Sequence, residues 1–417
     1  MALKPRSRWG LPLTLASLAI IGWFTLRPSL EDAEAAARLP WTCLYPCGDY
    51  GLRDALLNVG LFVPLGLGLA LLGHPVRALL LVLLTTVTVE FSQYHWLVGR
   101  DASLRDILTN SLGGGLGVAL AGSWRTLVLP HARRSAWLAI GAALLWLVGL
   151  GLTAVLVRPT LPHSVYWGQW APELGQFAPW DGTVLSAAVN GEALPSGRLR
   201  NSERLRTLLL GDSVLVTARV LAAPPTTGLA PIVSVFDSEQ REIFVLGQRG
   251  TEYFFRMRTG LSVLELGELT ALLPDVPHAR VEDTLTVRGG VVRGAWYVAV
   301  ESATDRAERR IPFEAGLLWA SLVPYHPVLG PLAALWSGLW LGVLLIPAGY
   351  WAGRTPMPWW LTAAGGVAGL WLLSGLAGLA TPPAAEWIGT AAGGLAGTGL
   401  GRWSRGRGGH ADTSSLH

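Results

Sequence analysis

The sequence predicts a mainly α-helical membrane protein of about eight transmembrane helices, with an all-β sandwich domain inserted between two helical arms. The chain of 417 residues is 51% hydrophobic and only 14% charged, whereas ordinary globular proteins carry roughly 25% charged residues. Residues 158–312 hold 33 of the 60 charged residues, so one polar block separates two strongly apolar arms. We therefore expect two membrane-embedded arms and one domain outside the bilayer.

Eight apolar stretches of near-bilayer length make up the two arms. They lie at about 10–26, 55–73, 77–98, 107–122, 136–157, 328–350, 359–379 and 385–401. Several are rich in Gly and Pro, which membrane helices tolerate. The first follows Lys4, Arg6 and Arg8, as the apolar part of a signal peptide would. No small-x-small cleavage site directly follows residues 26–28, so we expect an uncleaved helix.

Arginines in the short loops predict the orientation, because cytoplasmic loops carry an excess of Lys and Arg. With the N-terminus in the cytoplasm, every predicted cytoplasmic segment is basic. These residues are Arg77, Arg125, Arg133, Arg134, Arg354, Arg402, Arg405 and Arg407. The C-terminus is then cytoplasmic and residues 158–312 are extracytoplasmic. Arg53, Arg100 and Arg105 lie in predicted outer segments, against this rule. We therefore expect them to serve a site or an ion pair.

These patterns predict four regions along the chain. They are an N-terminal membrane arm at 1–157, the extracytoplasmic domain at 158–312, a C-terminal membrane arm at 313–402 and a basic cytoplasmic tail at 403–417. The polar block indicates strands, because short β-branched or aromatic runs alternate with turn residues at roughly ten-residue spacing. The predicted strands are 214–220, 232–236, 243–246, 253–257, 285–287 and 296–300. This pattern is typical of an antiparallel sandwich.

The candidate site lies at the end of the third apolar stretch. Glu90 and Gln93 are three residues apart and share a helix face, and Asp106 and Asn110 are four apart and share another. Ionisable groups at membrane depth are costly and usually functional. The second face continues to Gly113-x3-Gly117, a pattern that lets another helix approach closely.

Two internal sequence repeats involve the residues of this site. Residues 52–58 (LRDALLN) match residues 104–110 (LRDILTN) at five of seven positions. We expect these two Arg-Asp-x3-Asn elements to lie side by side at the outer face. Residues 386–397 repeat the spacing of Asp106, Gly113, Gly114 and Gly117, so the C-terminal arm is a degenerate copy of the N-terminal one. The C-terminal arm lacks counterparts of the other polar residues, so we expect it to have a structural packing role and no binding or catalytic site.

The two cysteines, Cys43 and Cys47, fall in a predicted outer loop. A small disulfide loop is the favoured interpretation, with free thiols as the alternative. A metal site is disfavoured, because two thiols without a nearby His lack a ligand set. The sequence indicates no metal, no cofactor and no nucleic-acid partner, and the glycine runs do not form a phosphate-binding loop.

The N-terminal arm resembles the VanZ-like family of bacterial membrane proteins. The matching pieces are Asn58-VGLFVPLG, Glu90-FSQ, Gly99-Arg100 and Arg105-Asp106-IL-x-Asn110-x2-Gly113. The resemblance covers about 50–120 and implies a small helical domain in a bacterial cytoplasmic (inner) membrane. The family's namesake is linked to low-level resistance to the glycopeptide teicoplanin. The family's candidate site carries over onto Asn58, Glu90, Gln93, Arg100, Asp106 and Asn110.

The polar block resembles a LamG-like or concanavalin A-like jelly roll. The resemblance rests on residues 232–238 (IVSVFDS), 244–248 (FVLGQ), 253–259 (YFFRMRT) and 294–300 (GAWYVAV). Domains of this kind often bind sugars, sometimes with calcium. The block shows no compact Asp/Asn calcium loop.

We expect the helical arm to recognise a lipid headgroup or glycan of the envelope, with an effect on glycopeptide-antibiotic sensitivity. The expected ligand-binding residues are Asn58, Glu90, Gln93, Arg100, Arg105, Asp106 and Asn110. A purely structural alternative makes Glu90 an ion-pair partner, the aspartates helix-terminal groups and the asparagines interhelical hydrogen-bond donors. A catalytic role, with Glu90 or Asp106 as acid or base, and a transporter rank lower, because the chain shows no nucleophile or metal and the second copy lacks the polar set.

Overall fold

A computed structural model of the protein describes residues 8–27, 51–97, 102–173, 177–274, 276, 283–323 and 332–411. By internal contacts the chain divides into two compact units, Met1–Pro130 and His131–His417. Cys43, Cys47 and Arg100 lie outside the described residues, so the disulfide and the role of Arg100 stay predictions.

Four helices form the described part of the first unit. They are α1 (Gly10–Thr25), α2 (Gly51–Leu72), α3 (Pro75–Trp96) and α4 (Leu104–Val128). Proline stands at the first position of α3, where its missing N–H would have no partner in any case. Ser103 caps α4, because its hydroxyl accepts a hydrogen bond from the Asp106 amide at 3.1 Å.

Within the ranges that the structure describes, the second unit contains the remaining helices and all of the strands. After α5 (Ala132–Leu156) come twelve strands with two short helices, α6 (Ser202–Leu209) and α7 (Gly260–Val263), between them. The strands are β1 Tyr166–Trp170, β2 Thr183–Val189, β3 Glu192–Ala193, β4 Gly197–Arg198, β5 Ser213–Leu221, β6 Leu229–Asp237, β7 Glu242–Arg249, β8 Glu252–Met257, β9 Thr270–Leu273, β10 Thr284–Val292, β11 Ala295–Glu301 and β12 Arg306–Pro312. A 3-10 helix (Leu317–Leu322) then leads to α8 (Ala333–Gly353), α9 (Leu361–Leu376) and α10 (Ala384–Ala411).

The strands form a two-sheet antiparallel sandwich, as the sequence predicts. The sheet orders are β4-β1-β6-β7-β8-β9 and β12-β11-β10-β5-β2-β3. All six predicted strands lie inside β5, β6, β7, β8, β10 and β11. Trp296 is fully buried between the sheets, with its ring 6.0 Å from that of Phe255 and 5.4 Å from that of Phe313. In a sandwich, inward-facing apolar and aromatic side chains such as these form the core between the sheets and alternate along each strand with outward-facing residues.

The expectation of about eight membrane spans is not supported. A helix lies at each predicted position, but only α2, α3, α5 and α8 of the described helices are long and apolar enough to cross a membrane. The helices α1 and α9 have 16 residues each, about 24 Å at 1.5 Å per residue, which is less than the roughly 30 Å of a hydrocarbon core. The helices α4 and α10 carry charged residues and many glycines, which lower their mean hydropathy.

Within the second unit, one end of the sandwich rests on the helices, and we call it the bundle-facing end. The Gly260 amide donates to the Arg158 carbonyl just beyond α5 at 3.2 Å, and the Ala380 amide donates to the Phe313 carbonyl at 2.9 Å. The β10–β11 turn ends at Gly294, and a Cβ there would lie 3.8 Å from the carbonyl oxygen of Gly378 in the α9–α10 connection. These contacts come from separate parts of the sandwich, so it is docked rather than merely tethered.

Candidate functional site

The carboxylate of Glu90 is held against the start of α4. Glu90 lies near the end of α3 and is buried. Its Oε2 atom accepts a hydrogen bond from the backbone amide of Ser103, the N-cap of α4, at 3.0 Å. The first amides of a helix lack partners inside the helix and favour negative charge. The local chain therefore explains how one buried carboxylate is stabilised.

A second carboxylate joins α2 to α4. The Asn58 side-chain amide donates a hydrogen bond from Nδ2 to Oδ1 of Asp106 at 2.9 Å. The two Arg-Asp-x3-Asn elements therefore meet, because the asparagine of the first contacts the aspartate of the second. The reciprocal pair does not form: Asn110 points to α3 instead.

Arg105 has hydrogen-bonding capacity that the described part of the chain does not use. Its Nε atom lies 3.8 Å from Oδ1 of Asp106, which is beyond hydrogen-bond distance. Within the described residues, Nε and Nη1 are buried and make no hydrogen bond, although the side chain as a whole is 14% exposed. A buried charged donor without a partner costs free energy. A guanidinium group matches carboxylate and phosphate oxygens with two parallel hydrogen bonds.

Arg53 and Asp54 add further charge beside this group. The Arg53 Nε atom lies 3.4 Å from Oδ1 of Asp54. Asp54 lies one helical turn before Asn58 in α2, and Asn58 holds the carboxylate of Asp106. We call the following set the polar cluster: Arg53, Asp54, Asn58, Glu90, Ser103, Arg105 and Asp106. It joins the start of α2, the end of α3 and the start of α4.

Two predicted ligand-binding residues make contacts between helices. Asn110 Nδ2 donates to Thr86 Oγ1 at 2.9 Å, which joins α4 to α3. Gln93 Nε2 donates to the carbonyl oxygen of Thr25 at 3.0 Å, which joins α3 to the end of α1. Both side chains are buried, and these contacts fit the structural alternative. Their ligand-binding role stays a prediction.

Sequence reasoning missed two members of these networks. Ser103 could have been found, because Ser103-x2-Asp106 is the spacing of a helix N-cap followed by an acid. Thr86 carries no such signal, since a threonine inside an apolar helix usually bonds its own backbone. Only the packing of α3 on α4 brings it to Asn110.

Glycines let α2 and α4 approach closely enough for these contacts. A Cβ on Gly66 would lie 1.9 Å from the Gly114 carbonyl oxygen, and one on Gly113 would lie 2.2 Å from the Val59 carbonyl oxygen. A Cβ on Gly117 would meet the carbonyl oxygen of Val63 at 2.1 Å. The backbones are thus in direct contact, as the small-x3-small pattern predicts.

The second unit repeats this packing at equivalent positions. We align the two arms on Pro64 of α2 and Pro347 of α8. The contacts Gly66–Gly114, Gly113–Val59 and Gly117–Val63 of the first arm then have counterparts in the second. These are Gly349–Gly394, Gly393–Gly342 and Gly397–Ile346, in the same order. In the second set the added Cβ atoms would lie 2.6, 2.1 and 2.3 Å from the facing carbonyl oxygens. The C-terminal arm is therefore a packing copy of the N-terminal one.

The copy keeps one acid of the polar cluster and gives it another role. By this alignment Glu386 corresponds to Asp106, while Leu341 stands for Asn58 and Thr390 for Asn110. Glu386 is fully buried, and its Oε1 atom accepts a hydrogen bond from the Gly316 amide at 2.6 Å. Glu386 thus fastens the segment that leaves the sandwich to the start of α10.

We predict that Glu386→Ala loosens this attachment without unfolding the sandwich. The Gly316 amide would lose a charged acceptor worth roughly 1.5–3 kcal/mol, so its hydrogen exchange should rise about 10- to 100-fold. The matched control is Thr390→Val, one turn further along α10, because the buried Thr390 hydroxyl has no hydrogen-bond partner among the described residues. Equal exchange at Gly316 in both variants would contradict this role.

A metal site finds no support among the described residues. Across those ranges, no group of three or more His, Cys, Asp or Glu side chains could hold a metal ion. Asp54, Glu90 and Asp106 instead interact with arginines, amides and backbone N–H groups of the chain itself. The described contacts of the polar cluster are therefore hydrogen bonds and ion pairs within the chain itself.

Comparison with known proteins finds a family match, which lies in the N-terminal part of the chain. Residues 14–125, which include every member of the polar cluster, match the family model described as VanZ/LLP1. The match covers 112 of the 417 residues and leaves the sandwich and the C-terminal arm outside it. No curated protein and no solved structure matches the chain.

Proposed function

We propose that this membrane protein with a VanZ-like N-terminal region binds a phosphate-bearing lipid headgroup of the bacterial envelope at its polar cluster. The apolar helices and the family match support a lipid environment. The single observation that carries the proposal is Arg105, whose buried Nε and Nη1 atoms donate no hydrogen bond to any described residue, although Nε lies 3.8 Å from the carboxylate of Asp106. A guanidinium group binds phosphate through two parallel hydrogen bonds. Lipid headgroups carry phosphate at the level where the membrane helices end.

The neighbours of Arg105 favour a ligand that also accepts or donates hydrogen bonds. Asn58 and Asp106 lie beside it and are already joined to each other, so they would supply orientation rather than charge. Arg53 contributes a second positive charge at the start of α2. A phosphate flanked by hydroxyl groups, as in a lipid-linked glycan precursor, satisfies all of these groups.

The proposal includes an orientation of the protein in the membrane and a role for the sandwich. The arginine bias of the loops favours cytoplasmic termini in the inner membrane, which puts the polar cluster and the sandwich on the extracytoplasmic side. There the sandwich, with its jelly-roll-like arrangement of two antiparallel sheets, would contact glycan or protein. Binding of envelope lipid at this face would influence sensitivity to glycopeptide antibiotics.

Varying the headgroup tests the proposal directly. The purified protein in nanodiscs is expected to bind phosphatidic acid, which carries a phosphate monoester, at least about tenfold more tightly than phosphatidylcholine, a factor worth 1.4 kcal/mol. Native mass spectrometry of the two titrations measures the ratio. Phosphatidylglycerol, whose phosphate is a diester, should fall between them. All three lipids carry a phosphate, so equal affinity for them would refute the proposed preference for a phosphate that no choline cation neutralises.

The two alternative functions gain less from the structure. As a general base, Glu90 or Asp106 would have to act through its other carboxylate oxygen, because Oε2 of Glu90 and Oδ1 of Asp106 already accept hydrogen bonds from the chain. A transporter built on the duplication would need similar polar groups in both copies. The second copy instead has Leu341 and Thr390 where the first has its asparagines.

A further inference from the structure

The sandwich exposes few large apolar side chains, and most of them lie at one end. Those that the structure describes are Trp167, Leu185, Leu210, Val263 and Leu264. All except Leu185 lie at the bundle-facing end, as the strand registers show. Scattered single apolar residues need no explanation, whereas an apolar grouping at one end of a domain marks an interaction surface.

The helix α7 places Val263 and Leu264 beside the end of α5. A Cβ on Gly260, the first residue of α7, would lie 3.0 Å from the Cα atom of Leu156, the last residue of α5. Leu261 is fully buried in the same core cluster as Leu156. The short helix is therefore fixed to the end of α5, while Val263 and Leu264 remain 46% and 43% exposed.

Strand registers place Leu210 and Trp167 at the same end. Leu210 lies three residues before Ser213, which pairs with Val292 next to the β10–β11 turn, and that turn approaches the α9–α10 connection. Trp167 follows Tyr166, the first residue of β1, whose partner Asp237 ends β6. Leu185, in contrast, lies near the start of β2, where Thr183 pairs with Leu221 at the opposite end of β5.

The helix α5 fixes the level of this end relative to a bilayer. Its 25 residues extend about 37 Å at 1.5 Å per residue, which exceeds the roughly 30 Å of a hydrocarbon core. In its last two turns Leu152 and Val155 are exposed, as lipid-facing residues of a membrane helix are. The chain therefore leaves the hydrocarbon close to Leu156, the residue against which α7 packs.

We propose that the bundle-facing end of the sandwich, centred on Val263 and Leu264, inserts into the interfacial region of the bilayer. The partner is the lipid surface itself, because the exposed apolar surface of α5 continues onto α7 and the two are fixed together by Leu156 and Gly260. Burial of exposed Val and Leu side chains among lipid headgroups and upper acyl chains is favourable. The insertion holds the sandwich at headgroup level, independently of any ligand in the polar cluster.

Site-specific quenching in nanodiscs tests this insertion. The full chain with Cys43 and Cys47 replaced by serine receives one new cysteine, Val263→Cys, labelled with a bimane fluorophore. Leu185→Cys is the matched control, because Leu185 is 47% exposed and Val263 is 46% exposed, but Leu185 lies at the other end of the sandwich. Lipids with a nitroxide on the headgroup should quench the label at 263 several-fold and leave the label at 185 nearly unchanged.

The reverse should hold for a water-soluble quencher such as iodide, which should reach 185 and not 263. Leu264→Cys provides a second probe of the same surface if Val263→Cys fails to fold. Equal lipid quenching at both ends, or a label at 263 that iodide quenches freely, overturns the proposal. A label at 263 that neither quencher reaches also overturns it, because a protein rather than lipid would then cover the surface.

Discussion

Gly66→Leu is expected to prevent α2 from packing on α4 and to destabilise the first unit by about 3 kcal/mol or more, at the upper end of the range for overpacked sites. The reason is geometric: even a Cβ at this position would lie 1.9 Å from the Gly114 carbonyl oxygen, so two helix backbones must separate. The polar cluster should fail with the packing, because the Asn58–Asp106 hydrogen bond crosses the same interface.

The matched control for this change is Gly60→Leu on the same helix. A Cβ at Gly60 would meet no atom within 4 Å, and leucine is a better helix former than glycine by several tenths of a kcal/mol. Unfolding of the two variants in mild detergent, followed by circular dichroism, should therefore show a large loss for Gly66→Leu and none for Gly60→Leu. Similar unfolding curves for both would show that α2 and α4 do not pack as described.

Arg105→Ala is expected to weaken binding of phosphatidic acid about 100-fold or more. The substitution removes two charge-assisted donors, each hydrogen bond of this kind being worth roughly 1.5–3 kcal/mol, against 1.4 kcal/mol for each tenfold change in affinity. Arg105→Lys should lose part of the affinity, because the ammonium group keeps the charge but not the paired donors. Titration in nanodiscs by native mass spectrometry gives the affinities.

Arg125→Ala is the matched control for charge. Arg125 lies in the last turn of the same helix, α4, and is exposed, so Arg125→Ala removes the same charge from the opposite end of α4. The affinity of this variant for phosphatidic acid should stay within about twofold of that of the unaltered protein, since exposed charges contribute little to a distant site. If the two alanine variants lose affinity equally, the effect is one of net charge and Arg105 is not the phosphate-binding group.

The fold was largely predictable, because its main patterns are local. Alternating β-branched and aromatic residues located six strands of the sandwich, including β11 with the buried Trp296. Of the strands that were missed, β3 and β4 have only two residues each and lie at sheet edges. Their pairing depends on neighbouring strands rather than on their own composition.

The number of spans was overestimated because apolar length is only part of the requirement. At 16 residues each, α1 and α9 are apolar but shorter than the membrane-spanning helices. A run of glycine and alanine, as in α10, counts as apolar but has low hydropathy. In such helices the glycines serve close packing, as Gly393 and Gly397 do against α8.

The contacts among the predicted site residues were only partly predictable from the sequence. The repeated Arg-Asp-x3-Asn pattern located the Asn58–Asp106 pair, because equal spacing on two neighbouring helices brings equivalent residues together. Which asparagine would find which partner depends on helix rotation, so the contact of Asn110 with Thr86 was not foreseen. The role of Glu386 was also missed, because its partner Gly316 lies 70 residues away in the chain.

Photo-crosslinking with a lipid tests the central claim most directly. Phosphatidic acid with a photoreactive diazirine placed high on its acyl chain, next to the headgroup, is incorporated with the protein into nanodiscs, irradiated and mapped by peptide mass spectrometry. The account predicts labelling in residues 51–58 and 103–110, at the starts of α2 and α4, and loss of that labelling in Arg105→Ala. Labelling concentrated around Arg125, at the opposite end of α4, with the first two segments unmarked would contradict it.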